Sequence, residues 1–195
     1  GLVALGADLW RRAGALSAST ALGALVGDLT ATSLTGTGLT AVGRELFRNA
    51  TSGSNSTAVG VRCADLAAFA GSGLTLVGAD LYRGATAAAN NVAVGSQIAS
   101  SGAPSGTRLF ALGAELLVNA PSGSDVLAAG YQQLDTGVFA GANVVALGFQ
   151  SLRNAATTTD AYALGRAVFS AATAGADLVG AGVLFLGVYG WQAFQ

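Results

Sequence analysis

The sequence predicts an all-β protein, a parallel β-solenoid or β-roll, from three observations. A short run of small apolar residues that ends in glycine recurs along the whole chain. From Gly43 to Gly165 the spacing between these closing glycines alternates between 17 and 18 residues. Glycine interrupts every unit, which disfavours helical-pair repeats of about 33 to 47 residues. A fixed period of this kind is typical of stacked units that bury each other's faces.

The closing glycines divide residues 1–195 into a single repeat domain. They are Gly6, Gly23, Gly43, Gly60, Gly78, Gly95, Gly113, Gly130, Gly148, Gly165 and Gly182. At the spacing of neighbouring β-strands, about 11 coils would form a rod on the order of 50 Å long. A start at Gly1, without methionine or a signal-peptide pattern, is typical of a processed product or of a segment of a longer chain.

Two stretches depart from the regular period. The spacing from Gly23 to Gly43 is 20 residues, so residues 24–42 contain two extra residues, which we expect to bulge at a turn without disturbing the stack. Residues 179–195 are irregular because "VGAG" (179–182) and "LFLG" (184–187) compete as the closing run.

A column of alanines lies two residues before the closing glycines and predicts a tightly packed face. Valine or leucine follows these positions, except that Ala129 follows Ala128. Side chains alternate along a strand, so both faces of the strand are predicted to be buried. We assign the alanines to core and trimer packing: Ala41, Ala58, Ala93, Ala111, Ala128, Ala146 and Ala163.

The column three residues before the glycines changes character midway. After Val3 it contains Thr20, Thr40, Thr57 and Thr75, and it continues with larger apolar residues, among them Phe110 and Tyr162. We expect a neighbouring chain to cover Phe110 and Tyr162, whereas the threonine stretch is less covered. Threonine ladders also occur in ice-binding solenoids, but the neighbouring column here is Val or Leu, which disfavours that function.

Composition excludes several functions and favours an oligomer. The net charge is −1, and no basic run exists to attract nucleic acid or an anionic membrane. No apolar run is long enough for a transmembrane helix. Only 10% of residues are charged although 52% are hydrophobic, which indicates that much of the surface contacts other chains.

The sequence predicts neither catalysis nor a bound cofactor or metal ion. Histidine and lysine are both absent, so acid–base chemistry would fall to carboxylates alone. The Gly-x-Gly stretches are not followed by Lys-Ser or Lys-Thr, so no phosphate loop is predicted. The one cysteine, Cys63, occupies the same repeat position as Leu46, Leu81 and Leu116, and is predicted to be buried.

Two further columns are predicted to be structural. Trp10, Phe47 and Tyr82 lie four residues after closing glycines and alternate with small residues, which favours packing over a carbohydrate-stacking platform. Acids two residues after the glycine are followed by arginines three residues later, which predicts an ion-pair ladder rather than a sugar-binding stripe. The ladder residues are Asp8, Arg11, Glu45, Arg48, Asp80 and Arg83.

Several units resemble a repeat of bacteriophage tail fibres, related to the head repeats of YadA-like trimeric autotransporter adhesins. The resemblance is carried by "NSTAVG" (55–60), "NNVAVG" (90–95), "GYQQLDTG" (130–137), "GFQSLRNA" (148–155) and "GWQAF" (190–194).

This resemblance implies a homotrimeric rod in a virion fibre or spike, in contact with other virion proteins and with a host surface glycan or receptor. The alternatives are the head of a bacterial adhesin on the outer cell surface and a capsid-attached fibre or decoration protein.

Overall fold

The computed structural model describes residues 2–7, 13–24, 34–46, 52–63, 70–82, 89–98, 107–116, 122–133, 140–151, 157–168, 174–176 and 179–182. Within these ranges the chain is a parallel β-solenoid with a main sheet of twelve strands and a second sheet of four strands. The all-β, parallel-solenoid prediction is therefore confirmed.

The main sheet holds the closing glycines. Its strands are β1 (Leu2–Ala7), β3 (Ser19–Ala24), β5 (Thr40–Arg44), β7 (Thr57–Val61), β9 (Thr75–Ala79), β10 (Val92–Ser96), β11 (Thr107–Ala114), β12 (Ser122–Tyr131), β13 (Ala140–Phe149), β14 (Thr157–Arg166), β15 (Ala174–Ala176) and β16 (Val179–Gly182). The second sheet contains β2 (Ala13–Ser17), β4 (Leu34–Thr37), β6 (Ser52–Ser54) and β8 (Ala70–Ser72).

The main sheet keeps one register along the rod. Each closing glycine is paired with the closing glycine of the next coil, as Gly43 is with Gly60. The two extra residues before Gly43 do not disturb this register, because β3 and β5 still pair Gly23 with Gly43. The pairing of Gly165 with Gly182 shows that "VGAG" is the closing run after β14, while "LFLG" lies outside the described residues.

The closing glycine is required by the approach of neighbouring coils. From Gly6 to Gly165 these glycines have φ between 122° and 139°, a region that L-residues rarely adopt. A Cβ on Gly113 would overlap the carbonyl oxygen of Gly130 and lie 2.9 Å from its carbonyl carbon. The same overlap recurs along the ladder, so the stack leaves no space for a side chain at this position.

Two left-handed corners turn each coil. The residue two positions after the closing glycine has φ near 55°, as in Glu45, Asp80 and Gln132. The residue five positions before it is also left-handed and is often Asn, Asp or Gly, the residue types that accept this conformation most readily. Corner amides still bond to the preceding coil: Asn55 N–H donates to the Thr37 carbonyl at 2.8 Å.

The interior is narrow and is filled by three inward columns. These are the alanine column, the column four residues before each glycine, and the column three residues after it. In the second of these columns Ser19, Ser56 and Asn91 are buried, and they accept hydrogen bonds from the amides of Leu39, Leu74 and Leu109 in the following coil. From Ser19 to Leu109, polar residues and leucines thus alternate between successive coils.

Candidate assembly surface

Side chains of the main sheet that point away from the interior form one surface, which we call the outer face. It consists of the columns three residues before, one residue before and one residue after the closing glycines. Large hydrophobic side chains of the described residues that are exposed all lie on it: Val3, Leu5, Leu22, Val42, Val59, Val61, Val77, Phe110, Leu112, Tyr131, Phe149, Tyr162, Leu164 and Val179.

The central column of the outer face is apolar and exposed to solvent in the single chain. Leu22, Val42 and Val77 are 38%, 37% and 37% exposed, and Leu112 is 46% exposed. The prediction that both faces of the strand are buried is therefore wrong for one chain. The alternation of side chains sends the alanine inward and the adjacent Val or Leu outward, so only contact with another molecule can bury the outer face.

The alanine column is buried by the chain's own coils. Seven alanines that were assigned to core and trimer packing have no exposed surface: Ala41, Ala58, Ala93, Ala111, Ala128, Ala146 and Ala163. Phe110 and Tyr162, which we expect a neighbouring chain to cover, lie on the outer face and are 44% and 47% exposed. The two sets therefore occupy opposite faces of one sheet, and only the second set is available to a partner.

Aromatic residues border the outer face beside one corner. The rings of Tyr131 and Phe149 stack with their centroids 5.4 Å apart, and the guanidinium of Arg166 lies 5.6 Å from the Phe149 centroid. The Tyr131 hydroxyl also bonds to Glu115 Oε1 at 3.1 Å. Sequence reasoning quoted "GYQ" and "GFQ" only as family motifs and missed this border, although the recurrence of an aromatic residue after the glycine was its signal.

Glu45 and Asp80, two residues of the predicted ion-pair ladder, lie at corners, and each pairs with an arginine. Glu45 pairs with its neighbour Arg44 at 2.9 Å, and Asp80 pairs with Arg62 of the preceding coil at 2.7 Å. The partners predicted for them, Arg48 and Arg83, lie outside the described residues, as do Asp8 and Arg11. Arg62 and Asp80 share one corner column, so this ion pair runs along the rod axis.

Amide and carboxylate side chains extend the same axial pattern. Gln132 donates to Glu115 Oε2 at 2.6 Å, and Gln150 donates to Gln132 Oε1 at 2.8 Å. At the other corner Asn143 donates to Asp160 Oδ1 at 2.8 Å. Each bond joins equivalent positions in adjacent coils, so these side chains stabilise stacking and are already engaged within the chain.

Arg108 and Asp125 form a two-point ion pair at the corner before the closing glycine. The guanidinium donates from Nη2 to Asp125 Oδ2 at 2.6 Å and also from Nε to Oδ1. The hydrogen bond from Arg108 lowers the pKa of the Asp125 carboxyl below its usual value, and the Arg108 charge acts in the same direction. The bond to Asp125 in turn raises the pKa of Arg108.

Replacing Asp125 by Asn should cause a small loss of stability that depends on pH and salt. Asn occupies the same left-handed corner at Asn55 and Asn90, so Asp125→Asn keeps the turn and removes the charge. Because the folded pKa is lowered, the stabilisation is present above the ordinary carboxyl pKa and is lost as the pH falls through the lowered value. Urea midpoints of both proteins should therefore converge in acid and in high salt. A difference that stays constant at every pH would contradict an electrostatic origin.

Two columns predicted to pack inside the coil do so where the structure describes them. Tyr82 and Cys63 are both fully buried, which confirms packing in place of a carbohydrate platform at Tyr82 and the predicted burial of Cys63. Burial raises the pKa of the Tyr82 phenol, and the nearby Asn91 side chain opposes this rise. Trp10 and Phe47 lie outside the described residues.

Within the described ranges, no three or more Asp, Glu, Cys or His side chains come together as a potential metal site. In the same part of the chain, no helix has the length and apolar character needed to cross a bilayer. Comparisons with protein-family models, curated proteins and solved structures gave no match. Among the described residues, the exposed apolar outer face is the feature that points to a function.

Proposed function

We propose that this chain is a structural segment of a bacteriophage fibre or spike and forms a rigid homotrimeric rod of about 11 coils. The observation that carries the proposal is the exposed apolar outer face, which continues from Leu5 near one end to Leu164 near the other. Solvent-exposed apolar surface of this extent favours contact between protein chains. The resemblance to tail-fibre repeats supports placing the rod in a virion, where its end contacts a host glycan or receptor.

The size of the outer face fits an interface between chains. With strands about 4.8 Å apart and residues about 3.3 Å apart, about 11 coils and three outward columns measure about 50 by 13 Å, or about 650 Å². A standard protein interface buries about 800 Å² on each partner, and monomers rarely expose apolar patches beyond about 300–600 Å². Coverage of this face by identical chains would bring the protein into the usual range for a stable assembly.

Stiffness of the rod follows from bonds that run along its axis. The main-sheet strands bond to their neighbours throughout, and corner amides continue the pattern, as in Asp80 N–H to the Val61 carbonyl at 3.0 Å. Corner side chains add the axial bonds described above. Bending or stretching such a stack breaks several hydrogen bonds at once, so the proposed role is mechanical: the rod holds a binding end at a fixed distance.

The native mass of the protein tests the assembly. Light scattering at several concentrations should give three times the 19.0 kDa chain mass, because the outer faces bury one another. Mild denaturant should separate the chains only near the unfolding transition. A folded monomer at the highest soluble concentration would contradict the homotrimer and would revive the ice-binding or sugar-binding alternatives for the outer face.

Antibody labelling tests the location. An antibody raised against the folded rod should decorate fibres or spikes on virions. Labelling of the outer surface of bacterial cells in place of virions would overturn the phage assignment and favour the adhesin head, which requires the same assembly but a membrane anchor elsewhere in its parent chain.

A further inference from the structure

The outer face differs between the two ends of the rod. In β3, β5, β7 and β9 the column three residues before the glycine contains threonine, and we call this part the threonine half. In β10 to β14 the same column is apolar, and we call this part the aromatic half. Parallel pairing keeps the positions aligned, so Thr75 is followed in the next coil by Val92 and then by Phe110.

Exposed aromatic side chains of the described residues all lie in the aromatic half. They are Phe110 at 44%, Tyr131 at 38%, Phe149 at 37% and Tyr162 at 47% exposure. Aromatic residues are enriched at protein interfaces, and Tyr is enriched among the few residues that carry most of the binding energy. In the threonine half, by contrast, each hydroxyl would lose its bonds to water on burial unless a partner replaced them.

The border of the aromatic half is already ordered before any partner arrives. The Tyr131 side chain is held by its hydrogen bond to Glu115 and by its stacking on Phe149, and the Arg166 guanidinium lies over the Phe149 ring. Side chains fixed in this way lose less rotamer freedom when a surface binds, so more of their contact energy contributes to affinity.

The charge distribution allows two identical copies of the aromatic half to meet. In β10 to β14 the columns three residues and one residue before the glycine contain no charged residue. Arg166 and Glu115 lie at the border or corner, where a charge remains in contact with water. Two identical surfaces with the same charge at their centre would repel each other. The aromatic half has only apolar side chains at its centre, so this repulsion is absent.

We infer that a second copy of this chain docks on the aromatic half, and that this half supplies most of the free energy of self-association. The threonine half contributes little, because its main contacts are smaller Val and Leu side chains beside hydroxyls. This inference rests on the proposed homotrimer and specifies which part of the outer face holds the chains together.

Two matched substitutions in one column test it. Phe110→Ala removes a large aromatic contact from the aromatic half, and Thr57→Ala changes the equivalent position of the threonine half. Sedimentation equilibrium measures the dissociation constant of the assembly for each variant. Phe110→Ala should raise it at least about 30-fold, as for an interface hot spot, and Thr57→Ala should change it less than about fivefold. Tyr162→Ala and Thr40→Ala form a second matched pair in the same column.

Each outcome decides the inference. Equal effects of the two substitutions, or a larger effect of Thr57→Ala, would overturn it while leaving the homotrimer intact. A wild-type chain that stays monomeric would overturn the homotrimer itself and this inference with it. Far-ultraviolet circular dichroism confirms that each variant keeps its coils, and Phe110→Leu, which keeps an apolar contact, should recover most of the affinity.

Discussion

Gly113→Ala should destabilise the solenoid more than the addition of one methyl group at any described position outside the ladder of closing glycines. Gly113 has φ of 137°, and an added Cβ would overlap the Gly130 carbonyl of the next coil. The alanine would be strained at this positive φ, and its Cβ would collide with backbone atoms that cannot move aside, so both effects destabilise the native stack. We expect a loss of more than about 4 kcal/mol in the free energy of unfolding, measured by urea denaturation.

A second glycine provides the control for this experiment. Gly73 has φ of 65°, and its added Cβ would meet only the Oδ1 atom at the end of the Asn90 side chain. Asn55 and Asn90 occupy the equivalent corner in neighbouring coils, so Gly73→Asn should change stability by no more than about 1 kcal/mol. Comparable losses at Gly73 and Gly113 would show that glycine acts through general flexibility and not through the carbonyl ladder.

Ala111→Glu should unfold the coil, whereas Leu112→Glu should leave it folded and prevent assembly. Ala111 is fully buried in the chain's own interior, and its neighbour Leu112 is 46% exposed on the outer face. A carboxylate at position 111 would be buried without a partner, which typically costs about 3–5 kcal/mol. The same charge at position 112 stays in water until another chain covers it.

Circular dichroism and light scattering separate these two results. The Leu112→Glu chain should give the β-sheet spectrum of the wild type and the mass of one chain. Gln97→Glu is a matched control, because it adds the same charge at an exposed corner whose equivalent positions hold Glu45 and Glu115. It should keep both the fold and the native mass. Assembly of Leu112→Glu at wild-type affinity would exclude the outer face as the interface.

The axial ladders also explain why isolated corner substitutions should be mild. Arg62 with Asp80 and Gln132 with Glu115 are joined across one coil spacing, but the backbone bonds beneath them remain when one side chain is lost. The Arg62–Asp80 ion pair and the Gln132–Glu115 hydrogen bond are both partly exposed to solvent, which limits what each contributes to stability. Substitutions in the glycine ladder or at the buried alanines are therefore expected to destabilise the stack more than substitutions at the corners.

The sequence by itself determined the architecture, because the repeat period and the alternation of side chains can be read directly from the order of residues. The spacing of the closing glycines predicted the register of the coils. The expectation that the two extra residues before Gly43 leave the stack undisturbed was confirmed by the pairing of Gly23 with Gly43. The buried position of Cys63 followed from its column. These are local properties. The alternation of side chains within a strand and the fixed length of each unit can be recognised without knowing how the rest of the chain folds.

Only the tertiary structure decided which atoms meet between coils and which face is left uncovered. The sequence showed that glycine recurs but not that a carbonyl from the next coil fills the place of its side chain, as Gly130 does at Gly113. It did not indicate that Asp80 pairs with Arg62, eighteen residues earlier. It also assigned the alanines to core and trimer packing alike, although the coil itself closes over the alanines and leaves Phe110 exposed on the opposite face. Contacts of this kind depend on how successive coils align in space, and residues far apart in sequence become neighbours only after the stack has formed.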